Sequence, residues 1–316
     1  MGHWLVTGGA GFIGSHLART LLDRGESVRV ADNLSTGKPS NLAVLDGKAE
    51  VLIGDLADSA FSREAVAGVE LVLHQAAIPS VPRSVSDPLT SHRANVDATL
   101  SLLVAARDAG VRRLVYAGSS SAYGDTEVLP KREDMPANPM SPYALQKLVG
   151  EQYLQMFMRL YGLDTVTTRY FNVFGPRQDP SSPYSGVIAL FTSRLLAGLP
   201  AVITGDGTQT RDFTYIDNVV DGVLRAATTP DAAGRVINIA TGRQISIKQL
   251  AQTIQGLLGS NLPLQYAEPR AGDVRDSLAD IELARKVLGY EPVVSFEEGL
   301  QRTVDWYRTS DLSNRG

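Results

Sequence analysis

The stretch Val6-Thr7-Gly8-Gly9-Ala10-Gly11-Phe12-Ile13-Gly14 decides the fold. It joins a short apolar run, His3–Gly8, to an amphipathic segment, Phe12–Arg24. That is a strand turning into a helix. Glycines at such a turn let the backbone approach a pyrophosphate, and the unpaired N–H groups of the helix N-terminus point at it. Gly14 allows helix and strand to pack closely. The pattern means little alone, but its place between a first strand and a first helix is the one a dinucleotide requires. Asp32 ends the second predicted strand, 18 residues after Gly14. An acid there accepts hydrogen bonds from an adenosine ribose and repels a 2′-phosphate, which favours NAD over NADP. The plainer role for Asp32 is to cap a loop.

Outward from this turn, short β-branched runs alternate with helical patterns. Ser27–Asp32, Glu50–Gly54, Glu70–Gln75, Arg112–Gly118 and Asp164–Tyr170 read as strands. Asn95–Ala109 carries Val96, Leu100, Leu103 and Val104 at helical spacing, and Pro142–Tyr161 reads as a long helix opened by proline. This alternation predicts an α/β fold, a doubly wound parallel sheet of Rossmann type with helices on both faces. After Tyr170 the texture becomes loop-rich. We therefore expect an NAD-binding domain over 1–170 and a smaller α+β substrate domain over 171–316. A segment near 217–240 is expected to return to the first.

The chain has 316 residues, 43% of them hydrophobic, enough for a sizeable core. Thirty Lys+Arg against 34 Asp+Glu give a net charge of −4, which argues against a general nucleic-acid partner. With no cysteine there is no disulfide and no thiolate chemistry. The four histidines, His3, His16, His74 and His92, lack metal-ligand spacing, so no metal is expected. No segment approaches the roughly 18 apolar residues of a membrane span. Met1–Thr7 carries no basic leader. A cytoplasmic protein is the expectation.

Tyr143 and Lys147 stand four residues apart on the long helix and share a face. A lysine cation beside a phenol lowers its pKa, as does an oxidised nicotinamide, so Tyr143 is a candidate general base. Chance produces such pairs, and position decides this one. It follows a predicted strand ending in Gly118-Ser119-Ser120-Ser121, at the sheet edge where ligands bind in doubly wound folds. Ser119 could hydrogen-bond the reacting oxygen. The run of serines also suits a simple polar turn.

Together these motifs resemble the extended short-chain dehydrogenase/reductase superfamily and, within it, the bacterial UDP-hexose 4-epimerases. The likeness extends through Asp32-Asn33-Leu34-Ser35-Thr36-Gly37, Gly54-Asp55-Leu56, His74-Gln75-Ala76-Ala77, Arg169 to Gln178, Gly205 to Phe213, and Gly272 to Ser277. The resemblance implies an NAD site lined by Gly8, Gly11, Phe12, Ile13, Gly14, Asp32, Asn33, Ser35, Thr36, Gly37, Asp55, Leu56, Gln75, Ala76, Ala77, Tyr143, Lys147 and Tyr170. It implies catalysis by Ser119 and Tyr143, with Lys147 on the nicotinamide ribose. For the UDP-sugar it implies Asn172 and Val187 on the nucleotide sugar, Arg211 and Arg270 on the diphosphate, and Asp273 on the uridine ribose. Arginine forks suit phosphate oxygens, although each arginine taken singly also suits a surface ion pair.

Related dehydratases and decarboxylases carry an acid just after the catalytic serine. Here Ser120, Ser121 and Ala122 follow, which points to plain epimerisation. UDP-glucuronate 4-epimerases tend to have threonine at Asn172 and arginine after Gln178, where this chain has Asp179. That acid would oppose a sugar carboxylate. A UDP-glucuronate 4-epimerase or decarboxylase, and a non-catalytic NAD sensor on the same fold, remain the alternatives. Ser277 stands where a bulky tyrosine closes related pockets to N-acetyl groups, so UDP-GlcNAc/UDP-GalNAc is expected alongside UDP-Glc/UDP-Gal. Gly186, Gln178 and Ser80 stand where N-acetyl-preferring relatives contact the sugar. Finally, Leu145, Leu148, Val149, Leu154, Met156, Phe157, Met158, Leu160 and Tyr161 wrap more than one face of the long helix. A homodimer through it and the Asn95–Ala109 helix would bury the surplus.

Overall fold

The computed structural model describes residues 2–180, 186–268 and 274–310. Its central sheet has seven strands: β1 (His3–Thr7), β2 (Ser27–Asp32), β3 (Glu50–Ile53), β4 (Leu71–His74), β5 (Arg113–Ser119), β6 (Asp164–Tyr170) and β7 (Val236–Ile239). They lie in the order β7-β6-β5-β4-β1-β2-β3, all parallel. This is the expected doubly wound Rossmann-type sheet. The order reverses between β1 and β4, which opens a crevice at their carboxyl ends. Leu5, Val6, Val72, Leu73, Leu114 and Val115 are fully buried, as a sheet covered on both faces demands.

Two clusters of buried side chains cover the two faces. One joins Leu5, Val72 and Leu114 to Leu102, Leu154 and Phe157. The other runs without a break from Val6 and Leu73 to Leu250 and Phe296 in the C-terminal half. There Phe174 meets Phe213, Tyr215 and Phe296, with ring centroids 5.6–6.3 Å apart. Within 217–240, a helix (Ile216–Thr228) leads to β7, whose residues pair with Thr167–Tyr170 of β6. Among the described residues, no helix is long and apolar enough to cross a membrane.

Predicted and observed elements agree to within one or two residues, apart from one helix. Arg93–Asp97 forms a π-helical turn before the α-helix Ala98–Asp108. Asn95 explains the extra residue, because its side chain is drawn inward. Its Oδ1 accepts from Ile78 N at 2.8 Å and its Nδ2 donates to Gln146 Oε1 at 2.8 Å. The long helix spans Pro142–Tyr161 as expected. Ser141 caps it, accepting from Ala144 N at 3.2 Å, and Gly162 closes it at φ +73°.

Candidate functional site

The turn after β1 has little room for side chains. Gly8 lies at φ +67°, and a Cβ there would sit 2.7 Å from Ala76 N. A Cβ on Gly14 would meet Gly8 O at 2.2 Å. Gly11 N donates to Gly8 O at 3.0 Å, closing the turn. The helix N-terminus that follows is thereby held against the sheet edge with its N–H groups facing the crevice. Asp32 lies beside it. Its Oδ2 accepts from Ala10 N at 2.9 Å and its Oδ1 from Leu34 N at 2.8 Å, which fixes the carboxylate at the crevice rim. Gly37 approaches the same group, since a Cβ there would lie 3.0 Å from Asp32 Oδ1.

Across the crevice, β5 ends at Ser119. Its Oγ accepts from Ser121 N at 3.2 Å and lies 2.8 Å from Ser121 Oγ. Tyr143 occupies the first turn of the long helix, where its N–H donates to Ser84 Oγ at 3.0 Å. Lys147, one turn on, is 4% exposed, and its Nζ donates to Ala117 O at 2.9 Å. The Lys147 ammonium also lies 4.8 Å from the centre of the Tyr116 ring. Burial pushes the Tyr143 phenol up to about 12, against a hydrogen bond from Ser119 that pulls it down. Burial likewise lowers Lys147 to about 7. The expected lowering of Tyr143 by Lys147 is therefore absent in the protein alone. Desolvation acts on both groups, and it weakens the very charge that was to do the lowering.

One cleft of about 1140 Å³ connects the two halves of the site. Its wall includes Gly8, Gly11, Phe12, Ile13, Gly14, Asp32, Asn33, Ser35, Thr36, Asp55, Leu56, Gln75, Ala76, Ala77, Tyr143, Lys147 and Tyr170. It also includes Ser80, Ser119, Ser120, Ser121, Asn172, Gln178, Gly186, Arg211 and Ser277. Gly37 stands behind Asp32 rather than in the wall. Val187, the first residue of the helix Val187–Leu196, is partly buried against the core, and its neighbour Gly186 lines the cleft. Arg270 and Asp273 lie outside the described residues. Asn172 takes φ +34°, a conformation asparagine tolerates, and its Nδ2 donates to Asp212 O at 3.0 Å. Arg211 Nη1 donates to Thr210 O and Arg275 O, both at 2.8 Å.

Sequence reasoning missed Lys38 and Lys131 and assigned no site role to Arg177, yet all three line the cleft. Lys38 Nζ pairs with Asp179 at 2.8 Å across the mouth of the cleft. Asp179 is thus partly neutralised, which weakens its expected opposition to a sugar carboxylate. Arg177 stands at φ +68° with a buried Nε that has no hydrogen-bond partner among the described residues. Burial of His16, aided by the Arg177 charge, lowers its imidazole to about 4, so that ring is neutral.

Residues 4–240 match the model of the NAD dependent epimerase/dehydratase family. The chain belongs to that family. It is 43% identical to a UDP-glucose 4-epimerase of Mycolicibacterium smegmatis, over 96% of this chain and 98% of that one. Among solved structures it is similar to the UDP-glucose 4-epimerase of Thermotoga maritima determined with UDP-glucose, with a TM-score of 0.93 and 40% identity, covering 97% and 98% of the two chains. It is equally close to a UDP-N-acetylglucosamine 4-epimerase of Methanobrevibacter ruminantium M1 in complex with UDP-N-acetylmuramic acid. There the TM-score is 0.93 and the identity 39%, over 98% of each chain.

The cofactor of this family is NAD, and the residues present fit it. The turn at Gly8 and Gly14 is packed too tightly for a Cβ, which puts bare backbone at the cleft wall where a pyrophosphate would lie. Gln75 accepts from Tyr170 Oη at 3.1 Å, which leaves its buried Nε2 without a partner among the described residues, at the cleft wall. An amide donor left unsatisfied in a binding cleft is costly unless a ligand acceptor meets it.

Proposed function

We propose that this NAD-dependent UDP-sugar 4-epimerase interconverts both acetylated and plain UDP-hexoses, UDP-GlcNAc with UDP-GalNAc and UDP-Glc with UDP-Gal. The observation that carries the reading is Ser277, a small side chain in the same cleft wall as Ser119 and Tyr143. A second observation supports epimerisation over elimination or decarboxylation. The carboxylates among the described lining residues are Asp32, Asp55, Asp179 and Asp276, and each is engaged. Asp55 holds Ala57 N and Arg93, Asp179 pairs with Lys38, and Asp276 holds Thr210.

In this mechanism Tyr143 removes the proton of the C4 hydroxyl and later returns it. Ser119 holds the same oxygen through its hydroxyl. Lys147, fixed by Ala117 O, binds the nicotinamide ribose. NAD, held by the turn at Gly8 to Gly14, Asp32 and Lys147, would supply a reversible hydride acceptor for C4 and, in its oxidised form, positive charge. Arg211, with Arg270, holds the diphosphate, while Asp273 holds the uridine ribose. Anchoring the UDP end leaves the keto sugar free to turn over.

Proton NMR of UDP-GlcNAc with the protein, catalytic NAD and no reductant tests this directly. UDP-GalNAc resonances should appear and settle at a mixture. Conversion of UDP-Glc alone would remove the acetylated substrates, and turnover of UDP-glucuronate alone would replace the reading. In the same assay, Ser277→Tyr should lower kcat/KM for UDP-GlcNAc about tenfold or more relative to UDP-Glc. Equal loss on both substrates would show that Ser277 does not gate the pocket.

A homodimer belongs to the same proposal. On the long helix, Leu154 and Phe157 are buried, but Leu145, Met156, Leu160 and Tyr161 are 42–65% exposed. Leu89, at 82%, joins Leu145, Val149 and Val96 around an apolar groove beside them. A second copy laying the same helix here would cover this surface. Light scattering at micromolar concentration should return twice the chain mass, and Leu160→Glu should shift it toward one. A monomeric wild-type protein would count against the dimer.

A further inference from the structure

Lys131 lines the same cleft as Ser277, Ser121 and Gly124, and it is 2% exposed. A lysine is rarely buried so fully without a reason. Its backbone is clamped to the segment that carries Ser277. The Lys131 N–H donates to Leu278 O at 2.7 Å, and its carbonyl accepts from Asp280 N at 2.9 Å and Asn238 Nδ2 at 3.0 Å. These bonds hold the Lys131 main chain beside the segment that carries Ser277. Its ammonium donates to Thr126 O. That uses one of three N–H bonds, and among the described residues the ammonium makes no other hydrogen bond.

The surrounding charges decide which acceptor suits the remaining donors. Burial lowers the Lys131 pKa, while Asp125 and Asp276 act to raise it. Arg275 stands 3.8 Å from Asp276. Lys131 and Arg275 thus face two carboxylates, while Arg211, whose Nη1 donates to Arg275 O, is assigned to the diphosphate. A carboxylate brought by a uronic sugar would add surplus negative charge beside two acids. A neutral carbonyl oxygen would gain a charge-assisted hydrogen bond and add no charge beside those acids.

We propose that Lys131 is a specificity-determining residue, its ammonium donating a hydrogen bond to the carbonyl oxygen of an acetamido group on the hexose. The proposal rests on the reading of Ser277 as an opening for acetylated UDP-hexoses. It adds a positive selector to what would otherwise be a permissive gap, since a site built to hydrogen-bond a group discriminates against the substrate lacking it.

The test is Lys131→Met, which keeps the apolar stem and removes the ammonium, with Lys131→Arg as the donor-retaining variant. Values of kcat/KM for UDP-GlcNAc and UDP-Glc are measured side by side on wild type and both variants, with UDP-glucuronate as a third substrate. The ratio of acetylated to plain substrate should fall about tenfold in Lys131→Met, through the acetylated substrate alone, and recover in part in Lys131→Arg. Retained UDP-Glc turnover shows that the variant is folded. Equal losses on both substrates, or an unchanged ratio, would overturn the assignment by making Lys131 structural. Wild-type turnover of UDP-glucuronate that depends on Lys131 would overturn it in favour of a carboxylate. A wild-type protein inert toward UDP-GlcNAc would instead sink the acetylated-substrate reading, before any variant is compared.

Discussion

Tyr143→Phe is expected to cut kcat by about 10²–10⁴-fold while NAD binding and folding are retained. The ring is held by its surroundings rather than by its hydroxyl. Its residue sits in a capped first turn, and the backbone N–H is fixed by Ser84 Oγ. Phenylalanine keeps that packing and loses only the phenol with its Ser119 hydrogen bond. The phenol is pushed up to about 12 in the protein alone, so it holds its proton firmly until positive charge is brought beside it. In the proposed base role this couples Tyr143 to an oxidised cofactor, and a protein without NAD should leave the C4 hydroxyl untouched. Epimerisation is read by proton NMR and NAD binding by fluorescence. A variant that keeps more than about a tenth of wild-type turnover would remove Tyr143 from the base role. Intact biological activity with turnover abolished would favour the non-catalytic sensor.

What the sequence disclosed and what it hid divide along a physical line. The turn at Gly8 to Gly14, the proline opening at Pro142 and the buried strands are local features, written in neighbouring residues. So is the Tyr143/Lys147 spacing, because a helix puts residues four apart on one face. The cleft's other chemistry depends on contacts between segments far apart in the chain. Lys38 meets Asp179 only because the loop after β2 faces the loop after Gln178. Lys131 becomes a wall residue only because it pairs with the strand segment after Ser277. Neither pairing leaves a periodic trace. The π-helical turn at Arg93–Asp97 was hidden for the same reason, since Asn95 is drawn in by Ile78 and Gln146, which no window around it contains. The upward push on Tyr143 in the protein alone was not visible in the sequence, because a charge partner can be read there and desolvation cannot.

Glu151→Ala is expected to destabilise the protein by about 3–5 kcal/mol, through an ion pair that also aligns the site. Glu151 on the long helix and Arg169 on β6 are 7% and 4% exposed in their side chains. They join through two hydrogen bonds, Nε to Oε2 at 2.9 Å and Nη2 to Oε1 at 2.6 Å. The guanidinium lies 4.6 Å from the centre of the Tyr123 ring, and its Nη1 already lacks a partner among the described residues. Removing the carboxylate leaves a cation with nowhere to hydrate. The melting temperature should drop by roughly 5–15 °C. The double variant Glu151→Met/Arg169→Met should lose much less, because it buries no unpaired charge. A loss under about 1 kcal/mol for Glu151→Ala would mean that water reaches the pair. The functional consequence separates this residue from a mere core contact. Tyr143 and Lys147 share its helix, and Tyr170 follows Arg169 on β6, so loosening the pair should misplace the base relative to Ser119. Turnover at a temperature where Glu151→Ala is still folded should therefore fall, and the double variant, with the helix repacked on the strand, should recover part of it.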